Sequence, residues 1–70
     1  MKLNELVKVL PYKTVVSIEN GRGKVFANND LFCIVGTDYY KKELANCEIR
    51  MVEMDLDIPF DKSLRVSIYK

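Results

Sequence analysis

Seventy residues suffice for one domain and leave no room for a second core. The apolar share of 49% excludes a disordered tail, and a net charge of +1, from 11 basic and 10 acidic side chains, supplies no basic excess for holding nucleic acid. A domain this short buries only roughly 60% of the surface its unfolded chain exposes, so it depends on tight packing or on a partner.

The first predicted element is a short helix. Leu3, Leu6, Val7 and Leu10 recur at i, i+3, i+4 and i+7 and make one apolar stripe. Pro11 ends it, because proline disfavours αR in the residue before it and offers no amide. The segment MKLNELVKVLP is interrupted by Glu5 and Lys8, so it predicts no signal peptide. No apolar run reaches membrane-spanning length, and the chain is expected in the cytoplasm.

Two strands follow, Thr14 to Asn20 and Gly23 to Asn28, joined at Asn20-Gly21. Asn-Gly is the usual pair for a type I′ hairpin, because both central positions need positive φ. That turn places Glu19 opposite Arg22, Ile18 opposite Gly23, Ser17 opposite Lys24, Val16 opposite Val25, Val15 opposite Phe26 and Thr14 opposite Ala27. Thr14, Val16, Ile18, Val25 and Ala27 then form the core face, and Val15 and Phe26 point away from it.

Asn28, Asn29 and Asp30 form a polar cluster suited to a helix N-cap. Leu31 to Val35 fits either a buried strand or a short helix; the cap cluster favours the helix, with Gly36 as its end. Thr37 or Asp38 can cap a second short helix through Tyr40 and Leu44 to about Ala45. Glu48 to Asp55 and Ser63 to Lys70 read as a second strand pair, with Ile49 and Met51 inward on one and Leu64, Val66 and Ile68 inward on the other. Pro59 interrupts the ladder between them. The order α-β-β-α-β-β predicts an α+β domain: a four-stranded antiparallel sheet with short helices on one face.

Catalytic machinery is not legible. Histidine is absent, which removes the usual general base and the commonest transition-metal ligand. Ser17, Ser63 and Ser67 therefore have no activating base, and Cys33 lies in an apolar run where burial suppresses thiol reactivity. Cys33 and Cys47 read as two buried thiols rather than a disulfide. The acidic run Glu53, Asp55, Asp57 and Asp61 lacks the glycine and terminal glutamate of a calcium loop and reads as a solvated strand end. Gly21-Arg22-Gly23 joins two strands, whereas a phosphate loop precedes a helix. No catalytic residue, metal or cofactor is expected, and the chain is not expected to be an enzyme.

Binding has more support. Val15, Phe26, Val52, Met54 and Tyr69 should share the outer sheet face with Lys24, Arg50 and Arg65 among them. A small monomer rarely leaves such a patch to water, and aromatics rimmed by arginine are typical of interfaces. The first expectation is a self-associating module that engages a protein partner. The second is a small anionic ligand, such as a nucleotide, held between subunits by Tyr39, Tyr40, Arg50 and Arg65. Nucleic acid is disfavoured by the near-neutral charge.

The segments LNELVKVLP and TVVSIENGRGKVF, followed by a polar cap, a short helix and two strands, resemble small uncharacterised proteins of Firmicute bacteria and their phages. Leu44-Ala45-Asn46-Cys47 matches only part of the Leu-Asn-basic segment that precedes the third strand in those proteins. The resemblance implies a mobile-element setting. There, compact proteins act stoichiometrically, blocking a host defence protein or sequestering a signalling nucleotide. It transfers no active site.

Overall fold

The computed structural model describes the backbone of residues 1–58 and 61–70 and the side chains of residues 1–54 and 63–70. It is an α+β fold in the expected element order. Helix α1 (Leu3–Val7) leads into β1 (Val15–Asn20) and β2 (Val25–Asp30). Helix α2 (Leu31–Val35) and a helical turn α3 (Tyr40–Leu44) follow, then β3 (Ile49–Ile58) and β4 (Asp61–Ile68). Pro59 lies outside the described residues, so its expected effect on the ladder is not addressed by the structure.

The sheet order is β2-β1-β4-β3. Both sequential pairs are antiparallel, but β1 and β4 run parallel, so the sheet is mixed and not antiparallel throughout. The cause is the helical crossover. The segment holding α2 and α3 carries the chain from one sheet edge to the other and back to its starting end, so β3 runs in the direction of β2. The two inner strands must then be parallel.

Val16 and Ile18 of β1 and Val66 and Ile68 of β4 form the floor of the core. Leu3, Val7, Leu31, Ile34, Tyr40 and Leu44 close it from the helical side. The stripe on α1 behaves as its spacing predicts: Leu3 and Val7 are buried, and Leu6 and Leu10 pack partly against the same core. The helix is anchored by Leu3 N–H to Cys47 O and Asn4 N–H to Ala45 O, both 2.9 Å. Asp30 caps α2, its Oδ1 accepting Cys33 N–H at 2.9 Å. Thr37 Oγ1 accepts Tyr40 N–H at 3.2 Å, so Thr37 starts the next turn as expected. That turn is wound wide, with Ala45 N–H reaching Tyr40 O at 2.9 Å.

The first hairpin does not use the Asn20-Gly21 turn. Gly23, at φ +86°, is the one residue with positive φ among the described residues. Asn20 O accepts Gly23 N–H at 3.1 Å, and Asn20 N–H donates to Lys24 O at 3.0 Å. This is a three-residue loop ending on a left-handed glycine. The Asn20 side chain favours it, since Oδ1 accepts both Arg22 N–H at 2.9 Å and Lys24 N–H at 3.0 Å. The longer loop and a bulge at Phe26 displace the pairing, so Ile18 lies opposite Ala27 and Val15 opposite Asp30. A second bulge at Arg50 makes Met51 the partner of Ser67 and Val52 the partner of Val66. Each bulge inserts one unpaired residue and reverses the alternation beyond it.

Candidate functional site

All helices pack on one side of the sheet, and no described element covers the other. On that uncovered face β1 places Val15, Ser17 and Glu19, and β4 places Ser63, Arg65 and Ser67 beside them. Met51 and Glu53 come from β3, and Val25 comes from β2 as the partner of Glu19. Val15, Val25 and Met51 are 40%, 52% and 45% exposed, and Tyr69, just past β4, is 66% exposed.

The centre of the face is polar. Arg65 lies between two carboxylates, Nε 3.8 Å from Glu19 Oε1 and Nη1 3.8 Å from Glu53 Oε2. Ser67, flanked by its register partners Glu19 and Met51, is only 5% exposed although no helix lies over it. Its Oγ has no hydrogen-bond partner among the described residues. A groove of about 290 Å³ lies in this region, its lining including Glu19, Arg50, Met51, Glu53, Arg65 and Ser67.

The expected interface set is therefore divided. Val15 and Tyr69 are exposed as anticipated, with Val15 on the uncovered face. Phe26 is not there. It is partly buried against the core, with Lys24 Nζ 5.4 Å from its ring centroid. Val52 and Met54 are exposed, but on the helical side, because they pair with Val66 and Leu64. Both sit on β3, an edge strand of the sheet. In exchange, Val25 and Met51, expected in the core, face outward. No residue-type signal marks the bulge at Arg50, since the adjacent apolar pair Val15-Val16 occurs in a strand with unbroken register there.

The expected ligand set is also divided. Tyr40 is a core residue, and burial raises its phenol pKa. Tyr39 is exposed just before α3, on the helical side, whereas Arg50 and Arg65 line the groove of the opposite face. Cys33 is exposed, not buried, because Leu31 and Ile34 supply the inward positions of α2. Hydrogen bonding to the Asp30 carboxylate raises its thiol pKa, with smaller contributions from burial and the Asp30 charge. Cys33 and Cys47 are both free. No three thiol or carboxylate groups among the described residues converge on a possible metal position. The side chains of Asp55, Asp57 and Asp61 fall outside that set.

The fold and the face define a small α+β domain with one clad and one bare sheet surface. No described helix is long and apolar enough to cross a membrane. No protein-family model, curated protein or solved structure matches the chain.

Proposed function

We propose that the protein is a non-catalytic cytoplasmic binding module that self-associates through the uncovered sheet face and engages a protein partner. The supporting observation is that face itself: Val15, Val25 and Met51 remain exposed while the helices pack on the other side. A sheet gains stability by covering both faces, and no described element of the chain covers this one. A second copy fits the charge pattern. A two-fold contact brings a surface against itself, so the surface must be self-complementary. Glu19 and Glu53 balance Arg50 and Arg65 here, and two copies meet without net repulsion.

The sequence resemblance supplies the setting, that of a phage or mobile-element accessory protein. An anti-defence role by stoichiometric occupation of a host protein suits a chain without catalytic groups.

Light scattering on the purified protein tests the self-association. The wild type should give the mass of a dimer, and the double variant Val15→Arg, Met51→Arg that of a monomer with unchanged circular dichroism. Both positions are exposed in the single chain, so loss of folding does not confound the result. A wild type that remains monomeric at its highest soluble concentration refutes the proposal.

A further inference from the structure

The bulge in β3 has a second effect. It turns Arg50 toward the hairpin loop, where the side chain lies over Gly21. A Cβ on Gly21 would stand 3.2 Å from Arg50 Nε and 3.3 Å from Cζ, so the missing side chain makes room for the guanidinium. Bulges commonly re-aim one side chain in this way. Arg22 projects from the same loop. Together with Tyr69, Asn20 and Lys70 the two arginines line a cavity of about 320 Å³.

The acids nearest this corner already have partners. Glu19 pairs with Arg65, Glu43 with Lys70 Nζ at 3.0 Å, and Glu48 with the amino terminus at 3.3 Å. Arg22 and Arg50 make no ion pair and no side-chain hydrogen bond among the described residues. Two unpaired guanidiniums beside an open cavity match the geometry of a phosphate, which accepts their paired N–H groups. The exposed ring of Tyr69 offers a flat apolar wall next to them.

We propose that Arg22, Arg50 and Tyr69 form a site for a phosphate-bearing anion of nucleotide size, with phosphate on the arginines and the base against the tyrosine. This site goes beyond the self-association reading and stands independently of it. Inorganic pyrophosphate and a nucleoside diphosphate share the chemistry, and Tyr69 separates them.

The test is a nitrogen-15 NMR titration of the full chain at low salt with pyrophosphate, ADP and adenosine. Pyrophosphate and ADP should move the amide signals of Gly21, Arg22 and Gly23 and the Nε signal of Arg50, and adenosine alone should move none of them. Arg22→Ala and Arg50→Ala should each weaken binding about tenfold, the loss expected for a charge-assisted hydrogen bond. Arg50→Lys should recover part of it. Gly21→Ala should weaken binding by displacing Arg50, in a protein whose remaining spectrum is unchanged. Tyr69→Ala weakening ADP but not pyrophosphate identifies a nucleotide; equal affinity of the wild type for both identifies the inorganic anion. Absent shifts at residues 20–24, or shifts that persist in the Arg22→Ala, Arg50→Ala double variant, overturn the site. Adenosine binding as well as ADP overturns it too. Binding that survives in a monomeric Val15→Arg, Met51→Arg protein separates this outcome from that of self-association.

Discussion

Ser67 is a hydroxyl whose surroundings make its removal favourable. It lies on an inner strand, between Glu19 and Met51, at 5% exposure, and its Oγ lacks a partner among the described residues. An unsatisfied buried polar group costs roughly 1–3 kcal/mol. Alanine removes the oxygen and leaves the rest of the side chain in place, so it opens almost no cavity. We expect Ser67→Ala to stabilise the folded monomer by about 1 kcal/mol, near the lower bound because neighbouring long side chains can relax. For a domain of this size that is a rise in Tm of roughly 4–8 °C. Ser17→Ala is the control, since Ser17 is a less buried serine on the same face of β1. The assay is thermal unfolding followed by circular dichroism across a dilution series. At low concentration Ser67→Ala should melt above the wild type, and Ser17→Ala should match it. If a second copy gives the hydroxyl a partner, the advantage should shrink as concentration rises. A Ser67→Ala protein less stable than the wild type at every dilution would show that the hydroxyl is bonded within the single chain, and the reasoning would fail.

Ile18 and Val15 lie on opposite sides of β1, Ile18 fully buried and Val15 exposed. Ile18→Ala should therefore cost about 2–5 kcal/mol in chemical unfolding, and Val15→Ala should be nearly neutral in the monomer; equal losses would mean the faces are assigned wrongly. Gly23→Ala meets no atom within 4 Å but must hold φ near +86°. It should cost about 1–2 kcal/mol through backbone strain alone, and Gly23→Asn should be milder; an unchanged Tm for Gly23→Ala would contradict the loop geometry. The Asp30 pKa is lowered chiefly by the Cys33 backbone N–H and then by the Cys33 side chain. Its stabilising effect is thus complete above the ordinary carboxylate range and disappears as pH falls through the lowered folded value. Asp30→Asn should flatten that part of the stability profile, and an unaltered acid limb would remove Asp30 as its source. The same variant should let the Cys33 thiol ionise at lower pH, measured as faster alkylation relative to Cys47 near neutral pH.

The local signals in the sequence were reliable where one residue type decides the outcome. Leu3 and Val7 on one helical stripe, Asp30 as a cap, Gly36 after the helix, and the inward Leu64, Val66 and Ile68 all hold their expected places. Register was less legible, because it accumulates small local choices. Asn20-Gly21 has a strong intrinsic preference for a two-residue turn, yet the Asn20 carboxamide stabilises the longer loop through two backbone N–H groups. One extra residue at Phe26 and another at Arg50 then reassign Phe26, Val25, Met51, Val52 and Met54 between the faces. The hydrophobic residues needed for a binding face were visible in the sequence. The side of the sheet each would occupy was not.

Total charge concealed the other half of the surface chemistry. Read along the chain, the +1 balance disfavours nucleic acid, and the small anionic ligand is expected on Tyr39, Tyr40, Arg50 and Arg65. In three dimensions the charges are matched locally. Arg22, Lys24, Arg50 and Lys70 lie at the end of the sheet where β1 turns into β2, and the acids near them, Glu19, Glu43 and Glu48, are paired with Arg65, Lys70 and the amino terminus. Salt screens charges farther apart than roughly 8 Å at physiological ionic strength. An anion at the Arg22–Arg50 corner therefore feels mainly these two guanidiniums and little of the distant charges, which is how a nearly neutral chain would hold one. The same local charges bear on the proposed face-to-face dimer, whose contact would set Glu19, Glu53, Arg50 and Arg65 against a second copy of themselves. That polar contribution should weaken as salt rises, whereas the apolar contribution of Val15, Val25 and Met51 should persist. A dimer insensitive to salt would place the contact elsewhere on the molecule.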